Sequence, residues 1–87
     1  MLKIDSTATG SGTVTLTLEG RLIGPWVDEL RMACKRTLDT SVTLTLDLGA
    51  VAFVDHDGVE LLRSLAEQHA RLTNCSPFVA EQLKAPR

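Results

Sequence analysis

The stretch LTLDLGAVAFVDHDGVELL, residues 44–62, contains the change of period on which the fold turns. From two residues before it through its first part, Val42, Leu44, Leu46 and Leu48 alternate with Thr43, Thr45 and Asp47, the period of two of a half-buried strand. From Asp57 or Gly58 onward the period changes: Val59, Leu61, Leu62, Leu65 and Ala66 fall along one broad apolar side of a helix ending near Gln68. A strand therefore runs into a helix across Asp55-His56-Asp57-Gly58, and two carboxylates, a histidine and a glycine sit at the junction.

Toward the N-terminus, TVTLTLEG repeats the alternation, with Val14, Leu16 and Leu18 set against Thr13, Thr15 and Thr17. Between these strands Pro25 suits the first turn of a helix, and Trp26, Val27, Leu30, Ala33, Cys34, Thr37 and Leu38 recur at three-and-four spacing, predicting a helix over 25–38. MLKIDS reads as an initial strand, joined antiparallel to the next through the turn TATGSG. Toward the C-terminus HARLTN is a short, weak strand, and SPFVAEQL a helix with Ser76 as N-cap, Pro77 at its first position and Phe78, Val79 and Leu83 facing inward.

The order is β-β-α-β-α-β-α. Strand–helix–strand units make parallel neighbours while the opening hairpin adds an antiparallel pair, so the expected fold is α/β, with a mixed four-stranded sheet. Strict alternation leaves one sheet face polar, whereas a sheet covered on both sides reads as continuous Val, Ile and Leu; the three helices belong mainly on one face. Eighty-seven residues make one domain, residues 1–87, with a tail over 84–87 expected to fray. There are no internal repeats, low-complexity tracts or linkers. Phe53 and Phe78 are expected in the core.

Composition narrows the function. A net charge of −2, a pI near 5.5 and a single adjacent basic pair, Lys35-Arg36, supply no stripe to neutralise phosphates, so nucleic acid is an unsuitable partner. No segment approaches the roughly 20 apolar residues of a membrane helix, which argues against direct membrane insertion. Charges at Lys3 and Asp5 interrupt the N-terminus before a signal-peptide run can build. Cys34 and Cys75 form no CxxC and read as free thiols in a reducing compartment; the expected location is cytoplasmic.

The junction residues leave several readings open. Asp57, with Glu60 three positions on, fits a capping box in which Asp57 accepts from the first-turn N–H groups while Glu60 reaches back. Asp55 and Asp57 in DHDGV are similar to the DxDG signature of haloacid-dehalogenase-type phosphatases, where a first Asp attacks phosphate, a second acts as general acid and Mg²⁺ binds between them. That chemistry needs further carboxylates and a phosphate-neutralising cation. After Asp57 the chain offers no acidic pair, and only Lys84 and three arginines as cations. His56 and His69, taken with Asp55, Asp57 and Cys75, lack the paired spacing of zinc ligands, so neither metal nor cofactor is expected; His69 instead suits the C-terminal end of its helix.

LEGRLIGPWVDEL, LTLDLGAVAFVDHDGVELL and SPFVAEQL, in this order and spacing, resemble a STAS domain, the module of bacterial anti-sigma factor antagonists and of sulfate-transporter tails, over residues 2–84. The resemblance implies the fold just derived and a non-catalytic role in protein–protein interaction. In the family the junction usually reads Asp-Ser-Ser-Gly, and the second Ser is phosphorylated by a partner that is both anti-sigma factor and serine kinase. Asp55 matches the Asp, His56 the first Ser, Asp57 the phosphoacceptor and Gly58 the Gly. Asp57 takes no phosphate from a serine kinase. It supplies about one negative charge where phosphoserine supplies roughly −1.5 to −2, a fixed and partial imitation of the phosphorylated form. The family often has GELD after its second strand; here the stretch is Gly20-Arg21-Leu22-Ile23.

The partner surface this implies is the edge where Leu22, Ile23, Gly24 and Trp26 lie beside Asp55, His56, Asp57, Gly58, Val59 and Glu60. Its expected partner is an anti-sigma factor, a serine-kinase-type ATPase domain or another STAS protein. A scaffold role in a transport ATPase or larger signalling complex is the alternative. Ser41, Ser64 and Ser76 are the other hydroxyls considered for modification, and are read as ordinary surface groups.

Overall fold

The computed structural model describes residues 2–8, 12–38, 43–68 and 70–84. Seven elements follow the expected order: β1 (Leu2–Ala8), β2 (Thr13–Leu22), α1 (Pro25–Leu38), β3 (Thr43–Val54), α2 (His56–Glu67), β4 (Arg71–Thr73) and α3 (Pro77–Lys84). The sheet order is β1-β2-β3-β4, with β1 antiparallel to β2 and the other pairs parallel. β1 extends through Thr7 and Ala8, which the sequence reading assigns to the turn. His69, Ser41 and the 85–87 tail lie outside the described residues.

Alternation places the core on one side of the sheet. Leu2 of β1, Leu16, Leu18 and Leu22 of β2, and Leu44, Leu46 and Leu48 of β3 are buried there. Val27, Leu30 and Cys34 of α1, Leu61, Leu62 and Leu65 of α2, and Val79 of α3 close over them. Among the described residues no polar or charged side chain is buried. The threonines of β2 and Asp47 of β3 take the alternate, half-exposed positions.

The alternation breaks midway along β3. Thr17 lies opposite Asp47, Glu19 opposite Ala50 and Arg21 opposite Phe53, so the register shifts at two places and β3 bulges against β2. The Gly49 N–H, next to the first bulge, donates to Asp47 Oδ1 at 2.9 Å. Beyond the bulges the buried residues are Leu48, Val51 and Val54, a spacing of three, while Ala50, Ala52 and Phe53 face outward. β4 reaches only as far as Asp47 along β3, leaving β3's last residues without a strand on that side. There Gln82 of α3 donates from Nε2 to the Val54 carbonyl at 2.9 Å. Arg63 of α2 donates from Nε to the Leu83 carbonyl at 2.9 Å, and the Ser76 hydroxyl accepts the Val79 N–H at 3.2 Å as the α3 cap.

Candidate partner-binding site at the start of the second helix

Asp55 holds the junction together. Its backbone is extended (φ −83, ψ −179) and its carboxylate divides between two elements. Oδ1 accepts the Gly58 N–H at 2.8 Å, capping α2, and Oδ2 accepts the Gly24 N–H at 2.9 Å, from the loop that enters α1. The Asp55 N–H donates to the Leu22 carbonyl at 3.1 Å, and its carbonyl accepts the Val59 N–H at 2.9 Å. One residue thus fastens the end of β2, the start of α1 and the start of α2.

Both glycines are needed for this. Gly24 has φ +54, a left-handed conformation that side-chain-bearing residues rarely adopt, and its loop continues at once into α1: Trp26 N–H donates to the Ile23 carbonyl and Val27 N–H to the Gly24 carbonyl, each at 3.1 Å. Gly58 is a matter of space. A Cβ there would stand 2.8 Å from the Leu22 carbonyl oxygen and 2.7 Å from Val54 Cγ1, closer than real Cβ atoms come.

The helix cap therefore corrects the sequence reading, which gave that duty to Asp57 with Glu60. α2 starts at His56 because Asp55 is held extended by its bond to Leu22, so Asp57 falls inside the first turn. Its side chain is exposed, and among the described residues it has no hydrogen-bond or ion-pair partner. A negative charge in that turn is favoured by the helix dipole.

The expected edge residues divide into surface and support. Gly24, His56 and Asp57 are exposed; Ile23, Trp26, Asp55 and Glu60 are partly so, with Trp26 packed on the core. Leu22, Gly58 and Val59 are buried, so they form the floor of the edge and not its contact surface.

Two residues expected in the core are outside it. Phe53 is 42% exposed and Phe78 54%, their ring centroids 6.2 Å apart and their planes tilted by 31°. Phe53 also shares an open depression of about 370 Å³ with Arg21, Ile23 and Ala52. Apolar surface thus continues from Ile23 across Phe53 to Phe78. Nothing in the residue pattern signals this, because it depends on the bulges of β3. Ser64 accepts a bond from Gln68 and Ser76 serves as a cap. Among the described residues no three His, Cys, Asp or Glu side chains converge as metal ligands, and no helix is long and apolar enough to cross a membrane.

A small mixed α/β sheet with its helices on one side and a tightly tied strand–helix junction defines the class. The sequence matches the STAS domain over residues 5–85, and the chain belongs to that family. No curated protein matches it in sequence. Among solved structures it is similar to the anti-sigma factor antagonist SpoIIAA in its unphosphorylated form, with a TM-score of 0.69, 24% identity, and coverage of 91% of this chain and 79% of that one. An anti-sigma factor antagonist from Mycobacterium paratuberculosis is similar with a TM-score of 0.69 and 18% identity, over 83% of this chain and 64% of that one. At these identities the likeness is one of fold.

Proposed function

We propose that the protein is a non-catalytic protein–protein interaction module of the anti-sigma factor antagonist type, with Asp57 in place of the phosphorylatable serine and hence without the usual phosphoswitch. The observation that carries this reading is the division of labour between the two aspartates. Asp55 does the capping, so the fold does not require the Asp57 carboxylate, which stands exposed on a fixed first turn. Its partner is an anti-sigma factor or serine-kinase-type ATPase domain that presents a donor-rich surface to Asp57 and His56. The phosphatase reading has less support. Both oxygens of Asp55, its would-be nucleophile, already accept backbone N–H groups, and freeing them would undo the junction.

The test is a pull-down from the native cell extract with the wild type, Asp57→Ser and Asp57→Ala in parallel, identifying bound proteins by mass spectrometry. Recovery of an anti-sigma factor or kinase-like ATPase, with binding that changes at Asp57 and phosphate incorporated into the Ser variant, supports the proposal. Recovery of a transport ATPase indifferent to all three variants replaces it with the scaffold role.

A further inference from the structure

β1 presents the long open edge of the sheet. Among the described residues it pairs only with β2, and it stands at one end of the strand order, whereas β4 at the other edge is three residues long. The helices pack over β2, β3 and β4. Ile4, on the inner face opposite Leu18, is consequently only partly buried, and an open groove of about 540 Å³ runs between it and α1.

An edge of this kind invites a further strand unless something blocks it, and an exposed lysine is a common block. Lys3 has that position. Yet Asp5 follows on the same face, and the two form only a loose pair at 3.7 Å with side chains 63% and 61% exposed. Lys3-Ile4-Asp5 is its own complement when read antiparallel. A register centred on Ile4 sets Lys3 against Asp5 of a second copy, Asp5 against Lys3, Ile4 against Ile4 and Leu2 against Ser6. Registers centred on Lys3 or on Asp5 keep the same facing but oppose like charges. The sequence of the edge therefore selects both an occupant and a register.

We propose that a second copy of this chain adds along β1, antiparallel and about a two-fold axis through Ile4, joining two four-stranded sheets into one of eight strands. Main-chain hydrogen bonds supply the attraction, the two Lys3–Asp5 pairs fix the register, and the facing Ile4 side chains cover each other.

Sedimentation velocity on the full chain, without an N-terminal extension and over a range of concentrations, tests this. The wild type is expected to dimerise. Lys3→Asp and Asp5→Lys, each placing like charges opposite one another, should weaken the dimer about ten-fold or more. Equal mixing of those two variants should restore it as a heterodimer, because every cross-strand pair is then again opposite in sign; the double variant Lys3→Asp/Asp5→Lys should restore it in one chain. Circular dichroism of each variant separates lost pairing from lost fold. A wild type that stays monomeric throughout, or a dimer unchanged by Lys3→Asp, overturns the proposal.

Discussion

Asp55 and Asp57 stand two positions apart with the same side chain and entirely different surroundings. Locally both can cap, since Asp is a favoured N-cap residue, and only Asp57 has three positions on the Glu that completes a capping box. What separates them is tertiary: Gly58 must lie against Leu22, and Gly24 must bring its N–H to the second Asp55 oxygen. Asp55→Ala should therefore cost about 1–3 kcal/mol in urea unfolding, for the lost cap and the lost tie to α1. Asp57→Ala should stay within about 0.5 kcal/mol, as an exposed substitution with no bonded partner does. Equal costs would return the cap to Asp57. A second residue gives a pH signature. Burial pushes the Cys34 thiol up from 9.0 to about 12. Unfolding lets the thiol ionise near its ordinary value while the folded chain keeps it neutral, so the stability it contributes is complete below pH 9 and is lost as pH rises from 9 toward 12. Urea midpoints of the wild type should fall more steeply over that window than those of Cys34→Ala.

At the scale of elements, the order and most boundaries are readable because each rests on a local cause: threonine–leucine alternation in β2 and the first half of β3, Pro25 opening α1, Ser76 and Pro77 opening α3. The second half of β3 is not readable. AVAFV carries no alternation to follow, and the register shifts before and within it are set by pairing with β2, between Thr17 and Glu19 and between Gly20 and Arg21. The short β4 has a consequence equally hidden in the sequence, since it leaves the Val54 carbonyl to be satisfied by Gln82 of α3. A side-chain amide here replaces a strand. Gln82→Ala should cost about 1–2 kcal/mol by leaving that carbonyl unpaired. Gln82→Glu, which turns a donor into an acceptor facing the carbonyl, should cost more. Amide exchange should accelerate in α3 in both variants; an order in which Gln82→Glu is the milder change would remove the bond from the account.

For the molecule as a whole, placing all three helices on one side leaves the other side to threonines and charges, a division that the alternation of the strands already carries residue by residue. The exception is where the bulges turn Phe53 outward against Phe78, in surface continuous with Ile23 of the candidate site. Aromatic side chains are ordinarily the largest contributors to a core. Here, with roughly half of each ring in water and the interior already filled by leucine, about half of their burial free energy is unrealised. The double variant Phe53→Ser/Phe78→Ser should accordingly lose about 1–1.5 kcal/mol per ring, half of what full burial of a phenylalanine contributes. Leu62→Ala, at a fully buried position, should lose about 2–5 kcal/mol through transfer and cavity terms together. Urea unfolding of the two variants against the wild type decides the matter. A cost per phenylalanine as large as that of Leu62 would place the aromatics in the core after all, whereas a smaller one with undiminished cooperativity would leave the pair as apolar surface that the fold can spare and a partner can use.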